Sequence, residues 1–591
     1  MTTILPDDVK SKRFAWLRQF AKPVTQTQFV WLVVLLVLAL MGEALAMRRV
    51  SVIAWLAPRL WLGLGVVVFA AILGRAAWQL ARDIRQRCYL ALLVTLSLSA
   101  LLLWPLLDSS RGVIGQDATQ QMAAGLAAYG QPDWNFTGRA FLGYPSRQYL
   151  LAAWPALLLG RTETALKIGF AWPFWLGLIH FANGLRAYAR TNRRRYGDAL
   201  SLAAVTAVAA FPYVTEYYLY FEHTLYPCCF ALQAIGWLLL FLNRPTFFHA
   251  LSLAWTGGVL VFCYTPGLAV ALLLVLVLFL ARWPLKAHPP ADRAALVLAI
   301  SLLATVGLSL LAGRGDRFAL LRSGTPAELW QAALTGLRIA LTGEPAVYTA
   351  HLLPLVWLYL LSALFFLWGR FQAVLAAWIL AIIVLSQLLQ GYAVYPPPVS
   401  FSRTLVSVPV LVTAWFLIAS GSSPRKKWLE WIRLPRRWGH ALLVLLVIVN
   451  LAAGTLHMTR PLVQGDAAKY YAPGLLQPMH LLVRDINRQA ALAGLQTDDA
   501  FTLIIYTDSV WLKNPVDYTR YFYPRARTVV LGSGQTLPDH LNAQQPWLIY
   551  ILDDAAADPS LFRTTAAKPA VIELDRAHSL AAARILINPQ N

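Results

Sequence analysis

Apolar runs separated by short polar breaks fill the chain from about residue 28 to residue 456. They lie at 28–47, 51–74, 88–107, 164–189, 198–214, 224–243, 247–264, 268–281, 293–312, 347–368, 371–391, 404–420 and 440–456. A helix crossing a bilayer needs about 20 mostly apolar residues. Each run is therefore read as a span, which predicts an all-α polytopic domain of about 13 transmembrane helices. The run 268–281 is short for a span. The apolar stretch Tyr149 to Leu159 is read as an interfacial helix, with a further span as the alternative.

After His457 the pattern changes. Phe501 to Tyr506, Thr528 to Leu531, Trp547 to Leu552 and Ala570 to Leu574 have the length and composition of short strands, while Leu475 to Ala493 and Ala577 to Ile585 read as helices. A small α/β domain is expected over 457–591, of ordinary size for an independently folding unit. The remaining divisions are 1–87, a basic tail with an additional two-helix hairpin, and 88–456, the transmembrane core.

One polar stretch interrupts the apolar pattern at length, Asp108 to Arg161. Within it Ala118, Met122, Gly125, Leu126 and Tyr129 recur at three- and four-residue steps, the spacing of an amphipathic helix lying on a membrane. Asp117 falls in its first turn, near the positive end of the helix. Trp330, Leu334, Leu337 and Leu341 suggest a second interfacial segment between Gly313 and Ala346.

Composition supports the membrane reading and sets its direction. Hydrophobic residues make up 58% of the chain and charged residues 13%, outside the range of soluble globular proteins. The net charge of +22 lies wholly in the membrane part, because the segment after His457 holds twelve basic and twelve acidic residues. Basic residues gather in alternate loops, at Lys10 to Lys22, Arg75 to Arg87, Arg186 to Arg195 and Arg425 to Arg437, which predicts a cytoplasmic N-terminus and an extracytoplasmic C-terminal domain. The same placement gathers Asp108 to Arg161, Glu216 to His223, Gly313 to Ala346, Gly391 to Arg403 and the tail on the outer side. No basic face interleaved with stacking aromatics stands outside the membrane, so nucleic acid is excluded as a partner. Cys88, Cys228, Cys229 and Cys263 fall within or beside apolar runs and read as small apolar fillers. The basic-aromatic stretch Thr519 to Ala526 reads as a strand or loop packed on the membrane surface.

Ionisable groups at a membrane edge are costly to desolvate and mark function by default. The outer-side acids are Asp108, Asp117, Asp133, Glu216 and Glu222; the bases include Arg111, Arg139, Arg147, His223, Arg314, Arg317 and Arg403. Carboxylates facing arginines suit a reaction in which a hydroxyl loses a proton while a phosphate departs. Each residue also has a structural reading: Asp117 and Asp108 as helix caps, Glu222 as half of a surface ion pair, Arg403 as an interfacial anchor, His223 as a satisfied polar neighbour.

Asp117, the Gly-Gln-Pro-Asp-Trp turn, Phe-Leu-Gly-Tyr-Pro and the Gly-Arg-Thr-Glu-Thr-Ala-Leu-Lys stretch ending at Lys167 follow one another in the first outer loop. In that order they resemble the first loop of the GT-C superfamily of membrane glycosyltransferases, in its protein mannosyltransferase and aminoarabinose transferase branch. Glu222 and Arg403 match the family's second acidic position and its late arginine. Ala118 stands where the family often has glutamate, Ser146 where it has a second proline, and Lys167 where it has arginine.

The resemblance implies transfer of a sugar from a polyprenyl-phosphate donor to a glycan, lipid or protein acceptor at the outer face of a bacterial inner membrane, with inversion. Asp117 would be the base, with Glu222 and Asp108 as further catalytic carboxylates. Arg403, then Arg147, would hold the departing phosphate, and His223 and Tyr144 would line the substrate site. No cofactor is expected. A divalent cation is possible, but hard cations need several oxygen ligands and Ala118 removes the obvious second one. The alternatives are a lipid or solute transporter, and a non-catalytic partner of envelope glycan assembly.

Overall fold

The structure is a computed structural model that describes residues 23–47, 50–107, 122–123, 125–126, 146–192, 196–219, 225–263, 266–285, 289–311, 407–420, 436–459, 484, 486–492, 494–506, 521–532, 535, 547–551, 570–575 and 580–587. The helices are α1 (Gln26–Met47), α2 (Ser51–Arg85), α3 (Tyr89–Leu107), α4 (Ser146–Leu159), α5 (Glu163–Thr191), α6 (Gly197–Ala210), α7 (Pro212–Leu219), α8 (Tyr226–Asn243), α9 (Phe247–Phe262), α10 (Pro266–Leu285), α11 (Pro289–Leu311), α12 (Ser407–Ala419) and α13 (Arg436–Thr459). Seven helices among the described residues are long and apolar enough to cross a membrane, and the chain is a multi-pass membrane protein. The expected spans 347–368 and 371–391 lie outside the described residues.

α5, α6 and α8 form the centre. Every residue from Tyr226 to Phe241 is buried, as is every residue from Ala199 to Ala210, the signature of helices surrounded by other helices. Apolar stripes on α1, α2, α3 and α11 instead face outward, with Trp31, Leu60, Leu96 and Ile300 exposed. Between lipid-embedded helices the hydrophobic effect supplies little, so close backbone approach matters more. Accordingly a Cβ at Gly184 of α5 would stand 2.7 Å from the Cα of Gly236 of α8, and one at Gly177 would stand 2.8 Å from the Cys229 carbonyl oxygen. Buried Asn450 of α13 donates to the Thr206 hydroxyl of α6 at 3.1 Å, a second kind of interhelical tie. Three of the cysteines, Cys228, Cys229 and Cys263, are buried in this core, as expected of fillers.

The helices share two ends. At one, Pro23 pairs with Thr246, Tyr196 meets His440 edge-on, and the basic ends of α2, α5 and α10 collect. At the other, Gly454 of α13 faces Leu101 and Ala210, and Tyr218 donates to the Leu102 carbonyl. These are called the basic end and the loop end.

At the basic end α2 runs 11 residues beyond its expected limit at 74, so Arg75, Arg82 and Arg85 are helical rather than part of a loop. The reason lies in its partners. Asp83 is buried and receives both terminal nitrogens of Arg186, at 2.6 and 2.7 Å. Arg190 reaches Asp198 at 2.8 Å and Gln79 at 3.1 Å. Two arginines and two aspartates thus neutralise one another and hold α2, α5 and α6 together.

In the tail, β1 (Thr502–Tyr506), β2 (Arg527–Leu531), β3 (Trp547–Ile551), β4 (Ala570–Asp575) and β5 (Leu580–Ile587) form one sheet in the order β2-β1-β3-β5-β4. β1 pairs in parallel with β2 and β3, while β5 runs antiparallel to β3 and β4. The expected helix Ala577 to Ile585 is therefore corrected: β5 is a strand. Its alanines favour a helix locally, but pairing on both edges supplies backbone hydrogen bonds that outweigh so weak a preference.

Candidate functional site

Asp108, Asp117, Tyr144, Glu222, His223 and Arg403 lie outside the described residues, and of Arg147 the structure describes the backbone, in the first turn of α4. The described neighbours of Asp108, Glu222, His223 and Arg403 stand at the loop end. Leu107 closes α3 directly before Asp108, Leu219 and Leu225 flank Glu222 and His223, and Ser407 opens α12 after Arg403. The direction of α12 follows from its other end, where Phe416 meets Tyr188 edge-on near the basic end of α5.

After Asp117, Met122, Ala123, Gly125 and Leu126 are helical. Met122 is fully buried in the core, with Ala123 and Leu126 packed against it. A Cβ built at Gly169 of α5 would stand 2.4 Å from the Ala152 carbonyl oxygen of α4 and 2.7 Å from the Met122 methyl. The glycine is therefore what lets α4 and the loop helix reach α5. The expected amphipathic helix is found here packed on protein, with Met122 and Gly125 buried.

Around this seat an aromatic group ties the elements together. Trp172 of α5 donates to the Leu151 carbonyl of α4 at 3.1 Å and meets Trp154 and Phe69 edge-on. Tyr226, at the start of α8, donates its hydroxyl to the Gly169 carbonyl.

The lead-in to α5 carries the polar anchoring. Gly160 takes a left-handed φ of 71°, which turns the chain out of α4. Thr162 caps α5 by accepting from the Ala165 amide at 3.1 Å. Glu163 lies in the first turn, where an anion is favoured; it meets buried Lys167 at 3.3 Å and Arg484 of the tail at 3.2 Å. Arg161 donates to the Tyr521 carbonyl at 2.9 Å, and the Tyr521 hydroxyl donates to the Thr162 carbonyl at 3.0 Å. Burial raises the Tyr521 phenol above its usual range, with Arg161 opposing, and the same burial lowers the Arg161 guanidinium.

The tail is thus latched to the helix end beside the loop. Tyr521 belongs to the stretch expected as a strand or loop on the membrane surface; it is buried against the lead-in to α5. Sequence reasoning did not find Arg484. The only trace of Tyr521 was an unusual density of aromatic and basic residues. Among the described residues no group of three or more His, Cys, Asp or Glu side chains is placed to hold a metal ion.

No protein-family model and no curated protein sequence matches the chain. Among solved structures it is similar to ArnT from Cupriavidus metallidurans. The apo form is 14% identical with a TM-score of 0.48, covering 84% of this chain and 97% of that one. The form bound to undecaprenyl phosphate is 15% identical with the same score and coverage. It is also similar to the Archaeoglobus fulgidus oligosaccharyltransferase AglB in complex with an inhibitory peptide and a dolichol-phosphate, at 11% identity and a TM-score of 0.41, covering 74% of this chain and 64% of that one.

Proposed function

We propose that the protein is a membrane glycosyltransferase that moves a sugar from a polyprenyl-phosphate donor to an envelope glycan, lipid or protein. The observation that carries this reading is the seat of the first loop: Met122, five residues after Asp117, is fully buried among core residues of α4 and α5. A loop anchored so firmly suits a carboxylate that must be held in position, because catalysis by proton removal depends on geometry first.

In the proposed reaction Asp117 takes the proton of the acceptor hydroxyl. The acceptor oxygen bonds to the anomeric carbon as the carbon–oxygen bond to the carrier phosphate breaks, with inversion. Arg403 and Arg147 meet the departing phosphate, since a guanidinium offers paired donors to phosphate oxygens. Glu222 and Asp108 complete the acidic side, while His223 and Tyr144 line the sugar or acceptor. The loop end is the outer face of a bacterial inner membrane, with the N-terminus cytoplasmic. No metal is assigned a step.

The test is transfer by the full chain in lipid nanodiscs supplied with a polyprenyl-phosphate sugar and envelope acceptors. Asp117→Asn and Arg403→Ala are expected to abolish the product while the protein still accumulates. Unchanged modification by both variants would favour a non-catalytic partner. Movement of lipid or solute across vesicles with no covalent product would favour a transporter.

A further inference from the structure

At the basic end, α2 and α5 run parallel with a constant offset. Phe69 meets Trp172 and Asp83 meets Arg186. Arg75, Gln79 and Asp83 share one face of α2 at four-residue steps. Gln79 and Asp83 are satisfied by the arginine network already described. The same offset brings Arg75 level with the segment of α5 around His180, one to two turns deeper in the bundle. There the pattern of satisfied groups stops.

Arg75 is half-buried and meets no carboxylate or other acceptor among the described residues, while its charge reaches both His180 and His249. His180 is 0% exposed and, among the described residues, neither ring nitrogen has a partner; the buried amide nitrogen of Asn183 and the buried indole nitrogen of Trp237 have none there either. His180 and Trp237 rings lie 4.0 Å apart, and Trp237 and His249 rings 5.9 Å. His249 donates Nδ1 to the Arg244 carbonyl at 2.9 Å, which leaves its Nε2 available. The Asn183 amide, the Trp237 indole and the Arg75 guanidinium are donors, and a neutral imidazole adds one more. Apart from the Gln233 Oε1 acceptor, one turn before Trp237 on α8, the unpartnered groups here can donate, and beside a cation with no partner among the described residues they match a group that is negative and rich in oxygen.

The depth agrees. Trp237 is six residues, about 9 Å, from the end of α8 at Asn243, and His249 is two residues into α9. Exposed Trp78, three residues from Arg75, stands where tryptophan marks a membrane–water boundary. This is headgroup level on the basic side, the side opposite the candidate active site.

We propose that Arg75, His180, Asn183 and Trp237, with His249 at the rim, form a binding site for a phosphate group at the basic-side membrane boundary. The phosphate comes either from a phospholipid headgroup of that leaflet or from a soluble phosphate. This site is independent of the glycosyltransferase reading.

The experiment uses the detergent-purified full chain, in wild-type form and as Arg75→Gln, Asn183→Leu and, as a charge control, Arg85→Gln, whose arginine is exposed. Retention of phosphatidylglycerol is read by native mass spectrometry, and the unfolding midpoint is titrated with inorganic phosphate. For a lipid site, Arg75→Gln and Asn183→Leu bind phosphatidylglycerol about tenfold or more weakly, as loss of a charge-assisted hydrogen bond entails, while Arg85→Gln retains it. For a soluble anion, inorganic phosphate raises the wild-type midpoint and that rise disappears in the same two variants. Asn183→Leu keeps the test open should Arg75→Gln not accumulate. If no site exists, removing an unsatisfied amide raises the Asn183→Leu midpoint while lipid retention and phosphate response match wild type. That result overturns the proposal.

Discussion

Arg186 of α5 grips Asp83 of α2 with both terminal nitrogens, at 2.6 and 2.7 Å, and both side chains are almost completely buried. The pair fixes the N-terminal hairpin to the centre of the bundle. Its strength depends on neither charge being left alone, because breaking a buried pair costs more than the pair contributes.

Asp83→Ala is therefore expected to destabilise the protein by about 3–5 kcal/mol, whereas replacing both partners by apolar residues of similar volume restores most of the loss. Thermal unfolding of the two variants in nanodiscs checks this. Equal destabilisation by the single and the double replacement would contradict it.

Gly184→Leu is expected to separate α5 from α8. The first added carbon would already stand 2.7 Å from the Gly236 Cα, and backbone cannot yield as a side-chain tip can. Overpacking of this kind costs about 1–3 kcal/mol or more, read as a lower unfolding midpoint. Gly63, whose added Cβ meets nothing within 4 Å, should tolerate alanine far better.

Met122→Ala removes the side chain that seats the loop helix against Gly169 of α5. A buried Met→Ala change costs about 2–5 kcal/mol. Much of that should fall on the seating of the loop, so sugar transfer is expected to drop while the assembled protein persists in the membrane. Full activity together with full stability would sever the proposed link between seat and carboxylate.

The latch on α5 should loosen in alkali. Burial raises Tyr521 and Tyr523 above the usual value of 10.0, so the folded chain keeps both phenols protonated where the unfolded chain ionises. Their contribution is complete below pH 10 and declines as pH rises through the folded values. Tyr521→Phe should cost about 1 kcal/mol at neutral pH through loss of the bond to Thr162 and flatten the decline above pH 10. A pH series of unfolding midpoints tests both.

The seven long apolar helices among the described residues were legible in the chain because a bilayer imposes a local requirement: each crossing segment must itself be long, apolar and satisfied in its own hydrogen bonds. Four of the five strands were legible for a related reason, short β-branched and aromatic runs bounded by polar turns. The stripe through Met122 announced a helix. That it packs on Gly169 rather than on lipid was not readable, since a glycine's vacancy serves whichever neighbour arrives.

The sequence by itself thus determined which of the described segments form long apolar helices, which stretches between them are polar and in what order the candidate residues occur. Only the tertiary structure decided that Arg186 meets Asp83 across 103 residues and that Tyr521 lands on Thr162 across 359. It alone made β5 a strand, by offering both of its edges a partner. Such pairings depend on elements distant in sequence arriving together, and no local pattern records which of several available partners a buried charge or an open backbone edge will meet.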